Sequence, residues 1–476
     1  MKTKELLYLK IAETMEAQIR QQVFLYGSKL PSIRTVCDTY GVSMTTALQA
    51  YMELDKKGLI HSRPKSGYFV IYQPLKFPPL PKTSNPENEP GNENKDELIH
   101  MVYNDISTDK TLFSLGVPEN SLLPIAKLSK SISRALRNTP FAGTAYEQMN
   151  GSAALRKQIV KSSYTWNGQL NETDVLTTFG CSHAMACCLQ AVTQRGDAIA
   201  VESPVYFGIL QMAKNMGLKV IEVPTNAQTG IDPDALERTI IQHQIKASIL
   251  ISNFSNPLGS SMPSAHKKKV VEMMTKHDIP LIENDMYGDI YFGSSRPDNC
   301  KTYDTNGSVL LCSSVSKSLA PGYRVGWVFP GKYMEAVRNI KFAASLSSNT
   351  LMEASVADFL QQNNYENHLR KLRTELHSNC LNYLEAIRKY FPKGTKVSRP
   401  QGGFMLWVEL DVSIDTSLIY HSAIKHQISI APGSIFTHQN QYNHCLRLSY
   451  GLKWNEKTDH ALKVLGTLIH QAGHNA

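Results

Sequence analysis

The 476-residue chain is long enough for about three units of ~150 residues, and 42% hydrophobic with 19% charged residues excludes a disordered or fibrous polypeptide. A net charge of +9 is mild for this length, so it admits a nucleic-acid partner without requiring one, and the position of the charge decides. Eight cysteines lack any C-x-x-C spacing, which argues against a metal cluster or disulfide framework; with no bilayer-length apolar run and an amphipathic start at Met1 to Glu5, the expected setting is the reducing cytoplasm, with no metal and no membrane partner.

Leu6, Leu7, Leu9, Ile11, Met15, Ile19 and Val23 recur at helical spacing and predict a first helix ending near Tyr26-Gly27. Ser32 caps a second helix to about Tyr40, Gly41 breaks it, and Ser43 caps a third running to Leu54. Two short helices about a glycine turn are the sequence image of a helix-turn-helix. His61 to Val70 predicts a two-stranded hairpin, a wing, with Arg63 and Lys65 at its tip. Residues 1–72 hold ten Lys+Arg against six Asp+Glu, a net of +4, nearly half of the chain's excess.

The segments Leu30-Pro31-Ser32-x-Arg34, Val42-Ser43-x-x-Thr46, Tyr51-x-x-Leu54 and Arg63-x-x-Ser66-Gly67-x-x-Val70 resemble the winged helix-turn-helix of GntR-type bacterial regulators. The resemblance implies that Arg34, Ser43, Thr45 and Thr46 face a double-stranded DNA operator, with Lys65 and Gly67 in the wing near its backbone. The family commonly carries Arg directly after the capping serine. Met44 stands there in this chain and removes a charge-assisted contact.

From Gln73 to Leu98 six prolines are interleaved with Asn, Glu and Lys. That composition predicts a flexible linker over 73–110, an extended tether that buries too little to fold.

Over 111–470 apolar β-branched runs such as Val175 to Thr178, Ala198 to Val201 and Ala247 to Ile251 alternate with helical patterns, which predicts an α/β domain with a mostly parallel sheet and its functional groups in loops at the strand ends. Thr178 to Ala184 is a strand, a glycine turn and a helix start whose N–H groups can receive a phosphate. Glu202-Ser203-Pro204-Val205-Tyr206 ends a strand with an aromatic ring, Asn256 is fixed by Pro257, and Leu281-Ile282-Glu283-Asn284-Asp285-Met286-Tyr287 ends an apolar run in polar groups. Ser313 to Trp327 places Lys317 in a run of hydroxyls, with Arg324 seven residues on. A lysine desolvated among apolar walls is a usable nucleophile toward a carbonyl, and serines with a guanidinium hold a phosphate, the two needs of pyridoxal 5'-phosphate.

With Tyr146-x-x-x-x-Gly151 before them and Arg447 after, these segments in this order resemble fold type I pyridoxal phosphate enzymes of the aspartate aminotransferase class. The resemblance implies that Lys317 forms the internal aldimine, that Ser314, Arg324 and the Gly180, Cys181, Ser182 turn hold the phosphate, and that Tyr146 reaches it from a partner subunit. It further implies that Tyr206 stacks on the ring, that Asn256 and Tyr287 touch its phenolic oxygen, and that Arg447 clamps a ligand carboxylate. Catalytic relatives place an aspartate three residues before the tyrosine, where it keeps the ring nitrogen protonated; that position here is Asn284, with Asp285 the alternative in a slipped register.

Joined to the N-terminal module, the whole resembles the MocR subfamily of the GntR family, which implies a head-to-tail homodimer. The function expected is a transcription regulator that senses an amine or amino acid through aldimine exchange at Lys317. The alternative is an active aminotransferase with an attached DNA-binding domain.

Overall fold

The structure, a computed structural model, describes residues 7–20, 23–24, 27–63, 66–71, 77–87, 95–104, 110–362 and 364–474. Its contacts divide the chain into Met1–Phe77 and Pro78–Ala476.

In the first unit, helices α1 (Leu7–Arg20), α2 (Ile33–Tyr40) and α3 (Met44–Lys56) precede an antiparallel hairpin of β1 (Ile60–Arg63) and β2 (Gly67–Val70). The apolar stripe of α1 is buried through Ile11, Met15 and Ile19, against Val36, Tyr51, Leu54 and Val70. Both predicted caps form: Ser32 Oγ accepts from Thr35 N at 3.1 Å, and Ser43 Oγ from Thr46 N at 3.2 Å. Gly41 takes the left-handed turn between the helices at φ 63°, where a side chain is disfavoured.

The stretch expected to be a tether differs in its described parts. Pro78 and Pro81 are buried, and residues 78–87 lie along the large unit: Pro79 O accepts from Val397 N at 2.8 Å, Pro78 O accepts from Arg399 at 2.9 Å, and Ser84 N donates to Thr225 O at 3.1 Å. A proline-rich strand carries no internal hydrogen bonds, so its carbonyls remain available to a fold it cannot build itself. Helix α4 (Asp96–Asn104) follows, burying Ile99 and Val102, so the large unit begins before the expected boundary at 111.

The large unit is built on seven strands: β3 (Leu176–Thr178), β4 (Ala198–Glu202), β5 (Lys219–Val223), β6 (Ala247–Leu250), β7 (Leu281–Asn284), β8 (Val309–Ser314) and β9 (Gly326–Phe329). They lie in the order β3-β9-β8-β7-β6-β4-β5, with β9 antiparallel to both neighbours and the other pairs parallel. Alternate residues feed opposite layers. Ile199, Val201, Ile249, Ile282 and Leu310 pack with helix α5 (Cys181–Val192), while Ala200, Leu250, Leu281 and Val309 pack with Leu236 and Val270 on the other face. Burial on both faces is why these strands read as continuous apolar runs.

A smaller antiparallel sheet contains β10 (Lys396–Val397), β11 (Met405–Glu409), β12 (Ala431–Pro432) and β13 (Cys445–Ser449), with Arg447 of β13 opposite Trp407 and Ala431. The eight cysteines are free thiols; Cys37 on α2 is half-buried and the others are buried. Among the described residues no helix is long and apolar enough to cross a membrane, and no His, Cys, Asp or Glu cluster is placed to hold a metal.

Candidate functional site

Tyr206, Asn256, Asn284, Tyr287, Lys317 and the Gly180 turn lie at the C-terminal ends of strands of the large sheet, and Arg447 comes from the smaller sheet. Lys317 follows β8, and its Nζ donates to Gly116 O. Burial, with the guanidinium groups of Arg447 and Arg324 nearby, lowers the Lys317 ammonium from its ordinary range to about 8. The side chain is therefore set up as an amine nucleophile close to neutral pH.

Arg324, in the left-handed region at φ 54°, donates to Ser316 Oγ at 3.3 Å and to Phe179 O at 3.2 Å. Beside it Gly180 opens α5 with no side-chain cap, so the first N–H groups of that helix have no side-chain acceptor at the cap. A Cβ on Gly180 would lie 2.5 Å from Arg324 Nη2, and one on Gly326 would lie 2.5 Å from the Gly180 carbonyl carbon. Only glycines let this turn, strand and guanidinium close together. Ser314 is buried, and its Oγ accepts from Ser316 N at 3.3 Å. Cys181 and Ser182 begin the helix, and burial pushes the Cys181 thiol well above its usual range.

At the end of β7 the two candidates for the ring-nitrogen position separate. Asn284 Oδ1 accepts from Cys181 Sγ at 3.4 Å, beside the helix start. Asp285 turns to an ion pair with Arg296 and accepts from Asn299 Nδ2 at 3.2 Å; Arg296 also donates to Asp289 at 2.7 Å. Adjacent strand residues point to opposite sides, and here the carboxylate is the one drawn away into a buried ion-pair network.

Tyr287, buried, accepts from Asn256 Nδ2 at 3.5 Å, and Asn256 Oδ1 accepts from Arg447 Nη1 at 3.1 Å. Burial raises the phenols of Tyr206 and Tyr287 well above their usual range, so both stay protonated donors. Arg447 is 0% exposed; its Nη2 donates to Tyr103 Oη at 3.0 Å and to Ser114 O, and its Nε has no partner among the described residues. Tyr146, 83% exposed, is not packed among these buried groups.

Three contributors were not among the sequence expectations: Tyr103, Ser114 and Gly116. The Gly in Ser114-Leu115-Gly116-Val117-Pro118 was the one available signal; a Cβ there would meet Met405 Cε at 3.0 Å and Lys317 Nζ at 3.9 Å. In the first unit Arg34, Thr45 and Gly67 are exposed and Thr46 is half-buried, its hydroxyl 2.8 Å from Ser43 Oγ. Lys65 lies outside the described residues.

A partly buried lysine of lowered basicity, an uncapped helix start beside an arginine, a Tyr–Asn pair and a buried arginine with an unpaired N–H are the fittings of a pyridoxal phosphate domain, and the residues present fit that cofactor. The chain belongs to the aminotransferase class I and II family over residues 110–465 and, over residues 7–70, to the gntR family of bacterial regulatory proteins, the domain pair of MocR-type regulators. It is 36% identical over 466 residues to the uncharacterized HTH-type transcriptional regulator YjiR of Escherichia coli (strain K12), spanning 98% of this chain and 99% of that protein. It is 26% identical to the HTH-type transcriptional regulator NorG of Staphylococcus aureus (strain USA300), over 93% of this chain and 99% of that one. The fold is shared with the α-aminoadipate aminotransferase LysN of Thermus thermophilus, solved with N-(5'-phosphopyridoxyl)-L-leucine, at TM-score 0.74 and 24% identity, covering 79% of this chain and 95% of that one.

Proposed function

We propose that this transcription regulator uses its pyridoxal phosphate domain as a sensor for a primary amine, most naturally an amino acid, captured by exchange at Lys317. When bound, the cofactor supplies an aldehyde that condenses with a primary amine and exchanges between the lysine and an incoming ligand. In this reading Lys317 offers the amine, while Arg324, Ser314 and the N–H groups of Cys181 and Ser182 hold the phosphate. Tyr206 covers the ring, Asn256 and Tyr287 set its phenolic oxygen, and Arg447 takes the ligand carboxylate. Tyr146 acts from the partner of a head-to-tail homodimer, and the setting is the cytoplasm. Arg34, Ser43, Thr45 and Thr46 face an operator, with Lys65 and Gly67 near its backbone.

The observation that carries the sensor reading is the placing of Asn284 at the helix start while Asp285 is held by Arg296. An amide accepts or donates a hydrogen bond but supplies no negative charge to keep a ring nitrogen protonated, so carbanion chemistry is weakened while amine exchange is not. The test is the visible spectrum of the holoprotein with a panel of amino acids. The sensor reading expects a cofactor band that shifts and persists, is absent in Lys317→Ala, and converts to the pyridoxamine form at least tenfold faster in Asn284→Asp than in the parent. Rapid pyridoxamine formation with release of a keto acid by the parent protein would instead favour a working aminotransferase, the reading supported by the intact Lys317, Asn256 and Arg447 set.

A further inference from the structure

Two edges of a guanidinium present paired N–H groups clear of its own stem, Nε with Nη2 and Nη1 with Nη2, and a bidentate carboxylate takes one of them. Both edges of Arg447 include Nη2, which has two hydrogens and two acceptors, Tyr103 Oη at 3.0 Å and the Ser114 carbonyl. Nε, fully buried, has no partner among the described residues, so the Nε–Nη2 edge is half open and half occupied. One of the two acceptors must leave before a carboxylate can seat on both donors.

The two are not equally held. Ser114 is fixed by its backbone N–H to Ser429 O at 2.9 Å and by its hydroxyl to Ser429 Oγ at 2.6 Å, directly after the pairing of Thr111 and Leu112 with Ile428 and Ser429. Tyr103 sits in the last turn of α4, a nine-residue helix anchored at its other end, where Lys95 donates to Thr437 O at 3.0 Å and Asp96 accepts from Gln211 at 2.9 Å. Its ring packs at 4.5 Å on Phe207, which in turn lies 4.6 Å from the ring of Tyr206. Tyr103 is thus the less firmly held of the two acceptors.

We propose that Tyr103 occupies the place on Arg447 that a ligand carboxylate takes, so that seating an α-amino acid, but not a plain amine, displaces this hydroxyl and frees the last turn of α4. The inference rests on reading Arg447 as the carboxylate clamp. It makes Tyr103 a specificity-determining residue, since it sets what a carboxylate must compete against, and it places that competition in the stretch of chain that follows the helix-turn-helix unit.

The test uses full-length holoprotein and matched probes that differ by one carboxylate: alanine with ethylamine, phenylalanine with phenethylamine, lysine with cadaverine. Affinities are read from the shift of the visible cofactor band, and amide hydrogen exchange is followed over residues 96–104. Tyr103→Phe removes the competing hydroxyl and keeps the ring on Phe207, so it should tighten the amino acids by about tenfold or more, the worth of one hydrogen bond to a charged group, and leave the amines unchanged. In the parent protein, amino acids and not amines should speed exchange at residues 101–104. Equal effects on both probe classes, no effect on either, or unchanged exchange in the last turn of α4 overturns the proposal. Arg447→Gln and Arg447→Lys separate the two layers: if neither weakens amino acids relative to amines, the clamp reading fails, whereas if they do and Tyr103→Phe is silent, only the role of Tyr103 fails.

Discussion

At the scale of single residues, the site works by taking groups out of water. Burial next to two guanidinium groups leaves the Lys317 amine protonated only below about pH 8. An ordinary lysine near 10.4 holds on the order of a hundredfold less free amine near neutrality. The free amine is the reactive form, so the rate at which apoprotein takes up pyridoxal phosphate should rise with pH and reach half its plateau near pH 8. Stopped-flow absorbance between pH 6.5 and 10 checks this, and a rate still climbing steeply at the top of that range would mean the lysine is ordinary. The same desolvation acts with opposite sign on acids: burial raises Glu202, at the end of β4, to about 8. Its proton is kept in the folded state, so it favours folding at low pH and this contribution is lost as pH rises from the usual carboxylate range through 8.

At the scale of elements, the start of α3 sets a capping residue close to an exposed one. Ser43 closes the start of α3 by bonding the N–H and hydroxyl of Thr46, whereas Thr45 is exposed and contributes to neither. Ser43→Ala should therefore cost about 1 kcal/mol of stability, seen as a lower thermal midpoint of the first unit. Thr45→Ala should leave that midpoint unchanged and weaken operator binding by about 1 kcal/mol or more. Thermal denaturation beside a DNA-binding titration of both variants checks the split, and matched losses in both assays for Thr45→Ala would refute it. Met44, 64% exposed at the first position of α3, presents a thioether to solvent.

These elements also mark where the sequence was readable. Lys317, Tyr287 and Asn256 each follow an apolar run because a parallel strand buried on both faces announces its own end. The separation of Asn284 from Asp285 was legible as strand alternation, but the cause that holds it, Arg296 eleven residues on, carried no pattern. Tyr103, Ser114 and Gly116 were not legible because two of them act through main-chain carbonyls, which every residue has, and Tyr103 stands on a helix inside a stretch whose composition reads as unfolded. That stretch was misjudged for a physical reason. Residues 78–87 bury little among themselves, and their order comes from N–H and side-chain donors on the large unit, which local composition cannot report.

At the scale of the whole molecule, the exposed Tyr146 bears on assembly. If it completes the site of a partner subunit, mixing Lys317→Ala with Tyr146→Phe subunits gives heterodimers in which one site has both defects and the other has none. Half of their sites should then hold cofactor as the parent protein does, measured by equilibrium dialysis; no recovery would mean that Tyr146 does not act across an interface.

The distribution of thiols has a practical side. Seven of the eight cysteines are shut inside the large unit, where burial raises the thiols of Cys300, Cys312 and others out of the reactive range, and Cys37 alone is partly open, on α2 of the first unit. Under brief treatment of the native protein, a maleimide dye is thus directed to one address. The wild-type chain comes with its own attachment point for a fluorescent reporter on the helix-turn-helix, with no cysteine to remove and none to add.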